Sequence, residues 1–422
     1  MRKVVLYSLL LVAGLVGSQF LSQDDPIRWP IRILTMVALS FIMINVGREF
    51  EIDKSRPRQY VWDYAIAGTA AAFPWIFCAL YFVYVLAPPE LWAHGDLWRE
   101  ALLEARFASP TSAGVLFSML AAAGLASTWM FQKARVLAIF DDLDTILLMI
   151  PLKIMIVGFR WQLSIIVALI FLLLWLAWRH LHRVRLPVNA GFILVYAVLI
   201  TAVSEGIHLG SIQIDAQVPI DLEVLLPAFA LGCMLAHPHV SGRTEEEEKR
   251  EEFHELREGR TASIVSACFM VLVGLSMPAV FGVLAEAAPV AESAYRAFAY
   301  EGVSPQILQQ KNAPLGAGAI VLHVLIVTIL SNFGKMFPTL CYRREASWRE
   351  RLALSVSMFP RGEVGAGVLV VSIGYGLGGP ALTVAVLSLA LNLLLTGAFI
   401  IAVRRLLAGH EAARPKPELV AR

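Results

Sequence analysis

The sequence predicts an all-α polytopic membrane protein of about twelve transmembrane helices, built on inverted repeats that each contain a discontinuous helix. Three observations carry that prediction. The chain of 422 residues is 58% hydrophobic and only 16% charged, with a mean hydropathy of +0.68, whereas soluble domains carry roughly 25% charged residues. Basic residues concentrate in every second loop between the apolar segments. Two helix-breaking clusters stand inside apolar segments, at matching distances from a polar residue in the next one.

The apolar segments fall near 4–21, 32–49, 61–86, 100–124, 133–157, 162–180, 187–208, 219–237, 262–284, 316–341, 350–376 and 380–407. Each spans, or nearly spans, a hydrocarbon core of ~30 Å at ~1.5 Å per residue. The first follows Met1-Arg2-Lys3 and ends in Gly17-Ser18. It reads either as a signal peptide or as a first helix, and its length favours the helix. Cys78, Cys233, Cys268 and Cys341 are far apart in apolar surroundings, without a CxxC, and are expected to be small core residues.

Orientation follows from the basic residues. One set of loops holds Arg2, Lys3, Lys54, Arg56, Arg58, Lys133, Arg135, Arg179, Arg183, Arg185, Arg243, Lys249, Arg250, Arg257, Arg260, Arg343, Arg344, Arg349, Arg404 and Arg405. The alternate set holds Arg28, Arg99, Arg160, Arg296 and Lys311. Both termini are therefore expected in the cytoplasm. The acidic run Glu245–Glu252 is expected in a charged cytoplasmic loop over 238–261 that links two halves of the bundle. The loop Glu286–Pro314 has room for a short surface helix, and a net charge of +2 gives no reason to expect a nucleic-acid partner.

The fourth segment contains Ala108-Ser109-Pro110-Thr111-Ser112-Ala113-Gly114, and the eleventh contains Met358-Phe359-Pro360-Arg361-Gly362-Glu363-Val364-Gly365. Proline and glycine interrupt a helix there. Asp142 follows Pro110 by 32 residues, as Asn392 follows Pro360. The two segments run in opposite directions, so 61–158 and 316–408 read as inverted repeats. Paired broken helices in inverted halves point to a secondary-transporter site.

The charges inside the apolar segments are the candidate site. Asp141, Asp142 and Asp144 share the fifth segment, and one carboxylate in hydrocarbon costs about 2.5–3.5 kcal/mol. Helical spacing puts the Thr145 hydroxyl one turn from both Asp141 and Asp142, with Asp144 on the other side of Asp141. Such oxygens suit an alkali ion. Adjacent carboxylates titrate together, so cation and proton compete. Permanent salt bridges are the alternative reading, for Asp144 above all. Lys335 reads either as an ion-pair partner of Asp141 or as a lysine snorkelling to the cytoplasmic face. Arg361 and Glu363 read either as a fixed pair offsetting half-helix charges or as direct ion or proton handlers. Thr111 and Ser112 are positioned to orient oxygens toward the ion. Glu205, His208 and His323 are expected to be satisfied near-interface residues.

Together these stretches resemble the monovalent cation:proton antiporters, in particular the second branch of that superfamily, the sodium/proton exchangers. Val46-Gly47-Arg48-Glu49-Phe50-Glu51-Ile52-Asp53 resembles the end of an early helix. Ser109–Ser112 resembles the first unwound crossing, and Phe140-Asp141-Asp142-Leu143 the paired-aspartate motif. Gly274-Leu275-Ser276-Met277-Pro278 is similar to a later glycine-leucine helix, and Phe359–Gly365 to the Pro-Arg-Gly-Glu signature. The resemblance implies a core with two crossed discontinuous helices, scaffold helices at 1–60 and 162–237 that form a homodimer, and elevator-like alternating access. It implies that Asp142 carries the ion, that Asp141 pairs with Lys335, and that exchange is electrogenic, with two protons per sodium. The sequence departs from the pattern at Asp144, in its twelve rather than thirteen segments, and in lacking the C-terminal nucleotide-binding domain of the gated potassium-efflux members.

The function expected is secondary active exchange of Na⁺ or Li⁺ for H⁺ in a bacterial-type inner membrane, serving pH homeostasis, with no cofactor. A K⁺/H⁺ exchanger or an organic-anion/Na⁺ symporter on the same fold is the alternative. An enzyme is not expected, and neither a sensor's output domain nor a channel filter stands out.

Overall fold

The structure is a computed structural model that describes residues 2–21, 25–48, 57–214, 224–235, 245–278, 300–374 and 377–411. It is helical, and among the described residues the one β-type contact is the bridge between Val184 and Leu235. The chain runs through α1 (Arg2–Ser18), α2 (Arg28–Arg48), α3 (Pro57–Tyr81), α4 (Gly95–Ala105), α5 (Ala113–Ala122) and α6 (Trp129–Val157). It continues through α7 (Trp161–Arg179), α8 (Ala190–Ile214), α9 (Leu225–Met234), α10 (Glu245–Leu275) and α11 (Pro305–Lys311). It closes with α12 (Ala317–Gly334), α13 (Phe337–Leu340), α14 (Trp348–Ser357), α15 (Glu363–Gly374) and α16 (Gly379–Glu411).

Local chemistry sets the ends of these helices. Thr128 caps α6 by accepting the Phe131 N–H at 3.2 Å, and Gly158, at φ +80°, ends it. Ser347 and Glu350 form a reciprocal capping box at the start of α14. The two expected breaks are present: residues 109–112 separate α4 from α5, and residues 359–362 separate α14 from α15.

Among the described residues six helices are long and apolar enough to cross a membrane: α2, α3 with its π-helical extension Phe82–Leu86, α7, α8, α12 and α16. In the apolar windows of α7 and α8 only 28% of residues are buried, against 61% in α2 and α16. The outer pair turns Phe171, Trp175, Phe192 and Val203 outward, as a lipid-facing surface requires.

The pairs α1 with α10 and α2 with α9 approach backbone to backbone. A Cβ at Gly14 of α1 would lie 2.2 Å from the Val271 carbonyl of α10, and one at Gly232 of α9 would lie 2.3 Å from the Ile44 carbonyl of α2. Gly274 and Gly47 occupy the opposite sides of these seams. The glycines in two of the family-like stretches are thus where helices touch. The remainder of the early stretch, Glu49–Asp53, lies outside the described residues.

Two expectations are corrected. The acidic run belongs to a helix: α10 begins at Glu245, so only the first part of the expected 238–261 loop stays unassigned, and 236–244 lies outside the described residues. Glutamate, lysine and arginine are good helix formers, and the run simply prolongs the apolar span. Cys268 is exposed, unlike the buried Cys78 and Cys233, because it faces outward on α10. Lys335 lies within the expected tenth segment, at the C-cap of α12 where the chain turns toward α13.

Candidate functional site

The two breaks cross and complete each other. Each leaves backbone groups without helical partners, and the other break supplies them. The Ser112 N–H donates to the Pro360 carbonyl at 2.9 Å, the Thr111 hydroxyl to the Met358 carbonyl at 3.1 Å, and Arg361 Nε to the Ala108 carbonyl at 3.0 Å. The Ser112 hydroxyl donates to Glu363 Oε2 at 2.6 Å while accepting the Val115 N–H at the start of α5.

The charges follow the half-helix ends. Arg361, fully buried, binds carbonyls at the C-terminal ends: Ala108 after α4 and Phe359 after α14, the latter at 3.1 Å. It also reaches the Ser331 carbonyl at 2.8 Å and Asn332 Oδ1 at 2.8 Å. Glu363 opens α15 and faces Ser112, the cap of α5, so a negative group sits between two helix N-termini. Arg361 and Glu363 thus stand at opposite kinds of helix end. The crossing puts carbonyls beside one and an N-terminal hydroxyl beside the other.

Asp141 stands beside the crossing on α6. Its Oδ2 accepts the Thr111 N–H at 2.8 Å, and both its oxygens accept from Lys335 Nζ, at 2.7 and 2.8 Å. Both side chains are fully buried, so Lys335 does not snorkel. The turn that holds it is fixed by close packing: a Cβ at Gly334 would lie 2.4 Å from the backbone nitrogen of Pro74 in α3. Asp142, the next residue, is 1% exposed and lies within electrostatic reach of Lys335.

The remaining acidic-span residues point elsewhere. Thr145 does not place its hydroxyl between the two carboxylates. It donates back to the Asp141 carbonyl at 2.7 Å and lies 3.5 Å from the Ser109 hydroxyl. A helical threonine readily bonds to the carbonyl one turn earlier. Asp144 turns toward α3, where a Cβ on Gly68 would lie 2.9 Å from its Oδ2 and where Tyr64 is its neighbour. The structure thus gathers Thr111, Ser112, Asp141, Lys335, Arg361 and Glu363 around one point, with Asp142 adjoining, and leaves Asp144 to the side.

Some contributors were not visible in the sequence. Arg106 is buried and donates to the Thr145 carbonyl, tying the end of α4 to α6. Asn332 bridges Arg361 and Asn392, donating to Asn392 Oδ1 at 3.0 Å. Lys133, counted among loop charges, is 8% exposed and binds Asp63 at 2.9 and 3.1 Å, while the Tyr342 hydroxyl donates to the same carboxylate at 2.6 Å. A lone Asn or Asp in an apolar segment, here Asn332 and Asp63, was the available signal. Glu205 binds Arg32 at 3.1 Å and Trp29 at 3.3 Å, and His323 meets the Tyr81 hydroxyl at 2.7 Å.

A helical membrane protein in which two interrupted helices cross beside buried carboxylates and a buried ammonium belongs to the class of secondary transporters. The family model described as "Sodium/hydrogen exchanger, transmembrane" matches residues 3–405, and the chain belongs to that family of monovalent cation:proton antiporters. Among curated proteins no relative matches the sequence.

Proposed function

We propose that the protein exchanges Na⁺ or Li⁺ for H⁺ electrogenically by alternating access, with Asp142 as the main ion ligand and Asp141 as the charge-compensated partner of Lys335. The observation that carries this reading is the fully buried Lys335–Asp141 pair, one residue from Asp142 and anchored to the crossing through the Thr111 N–H. Breaking a buried pair strands a charge at a cost of about 3–5 kcal/mol. A cation entering beside Asp142 competes with Lys335 for the same negative charge, and that competition couples ion to proton. Thr111 and Ser112 hold the crossing in register, while Arg361 and Glu363 offset its helix ends.

In this reading the repeats 61–158 and 316–408 move as a core against scaffold helices at 1–60 and 162–237, to which α10 adds itself by packing on α1. The scaffold forms the homodimer, the membrane is a bacterial-type inner membrane with both termini cytoplasmic, and the exchange serves pH homeostasis. Dissipation of ΔpH in everted vesicles tests the ion assignment. Sodium or lithium dissipates the gradient with the native protein, and Asp142→Asn abolishes the response. Full exchange by that variant at ordinary affinity would remove Asp142 from the site, and a response to potassium alone would turn the reading to K⁺/H⁺ exchange.

A further inference from the structure

A second pair of carboxylates is buried away from the crossing. Glu100 and Glu104 are one turn apart on α4, 4% and 1% exposed, and share a face of the helix. Glu100 is fully engaged: Lys311 Nζ donates to its Oε1 at 2.5 Å and the Tyr300 hydroxyl to its Oε2. Burial, and then the Glu100 carboxylate, push the Tyr300 phenol well above its ordinary range, so it remains a donor.

Glu104 is placed differently. Its buried Oε1 has no hydrogen-bond partner among the described residues. It lines a cavity with Glu100, Lys311, Asn312, Phe82 and Leu86. The space open to the centres of water-sized bodies is ≈ 20 Å³, enough for one water or one small ion. The charged groups acting on Glu104 are Glu100 from its own helix and Lys311 from α11. The end of α3 and the start of α16 offer Phe82, Leu86, Pro380 and Ala381, all apolar. With one ammonium against two carboxylates, the fully ionised cluster keeps one negative charge. A buried charge of that kind requires a partner. Carboxylate oxygens without sulfur or imidazole suit a hard cation, and a single uncompensated charge matches a monovalent one.

We propose that Glu104, with Glu100 and Lys311, forms a second binding site for one positive charge, an alkali cation or a proton, separate from the Asp141–Asp142 crossing. The cavity sits where α3 ends and α16 begins, which the distribution of basic residues assigns to the non-cytoplasmic face. There the site samples the ion and proton content of the opposite compartment.

The test is made on the full chain in detergent with Asp142→Asn present, so that it reads binding and does not depend on whether the protein exchanges ions. The probes are NaCl, LiCl and KCl against choline chloride at constant ionic strength and alkaline pH, and a pH titration in choline alone. The unfolding temperature and the intrinsic tryptophan fluorescence are followed. Asp142→Asn retains a saturable response in at least one arm, and adding Glu104→Gln removes it. The salt arm identifies an alkali ion and the choline arm a proton. Adding Glu104→Asp instead keeps the carboxylate and weakens the response by about tenfold, which covers the case in which the glutamine variant does not fold. Identical curves for Asp142→Asn with and without either Glu104 substitution, in both arms, would overturn the proposal.

Discussion

Asp142 on α6 and Asn392 on α16 each stand 32 residues beyond the proline of a broken helix. The surroundings differ. In the first, Asp141 carries a full ion pair with Lys335, and Asp142 adds a second carboxylate. In the second, Asn392 is neutral, donates to the Ser388 carbonyl and accepts from Asn332, which in turn accepts from Arg361. Each lies beyond a broken helix, but the charge around them differs. The first stands beside the Asp141–Lys335 pair, while the Arg361 charge near the second is held by backbone carbonyls and Asn332. In the proposed reading only the first carries an ion.

The surroundings of Arg361 should fail by unfolding, and those of the Asp141–Lys335 pair by losing transport. Arg361→Ala is expected to have the largest effect. It strips partners from the buried carbonyls of Ala108, Ser331 and Phe359, at about 1–3 kcal/mol for each group left unsatisfied. Thermal unfolding in detergent should show gross destabilisation, and near-native stability would refute the locking role. Lys335→Gln comes next. It leaves Asp141 uncompensated, at a cost of about 3–5 kcal/mol unless that carboxylate takes up a proton. Currents evoked by a sodium jump on a supported membrane should fall to background, and undiminished current would detach Lys335 from charge movement.

Asn392→Ala removes two buried neutral hydrogen bonds and should cost about 1–3 kcal/mol, with exchange retained in vesicles. Loss of exchange would mean that the surroundings of Asn392 also handle ions. Asp144→Asn is the smallest effect. Because its carboxylate faces Gly68, the sodium concentration for half-maximal exchange should move by less than about threefold, under 1 kcal/mol. A larger shift would return Asp144 to the crossing.

Which features could be read from the sequence follows from their range. The breaks at Pro110 and Pro360 are local events, since a proline without an N–H disrupts a helix wherever the chain goes. Their equal spacing to Asp142 and Asn392 is what suggests a repeat, with no contact needed. Three carboxylates in an apolar run are conspicuous because hydrocarbon makes them costly. The directions of side chains were not legible. Helical spacing set Asp144 and Thr145 around Asp141, but Gly68 of α3 gave room to the first and the helix's own carbonyl took the second. Lys133 passed for a loop charge because its partner, Asp63, lies 70 residues away. The position of Lys335 depends on a backbone contact between Gly334 and Pro74, and no periodicity encodes such a contact. The α10 extension was missed for another reason: a charged run with high helix propensity reads equally well as a loop or as a helix.

The crossing also has a consequence for biosynthesis. The groups joining the two breaks are separated by 247 residues for Thr111 and Met358, and by 253 for Ala108 and Arg361. At roughly 5–20 residues per second, a ribosome takes on the order of 10–50 s to bridge that interval. Throughout it, the first broken helix has been made but lacks the partners for its Ala108 carbonyl, Thr111 hydroxyl and Ser112 N–H. Its final form is therefore a late event, completed when the eleventh segment arrives, and a chain halted before Met358 holds an unfinished crossing.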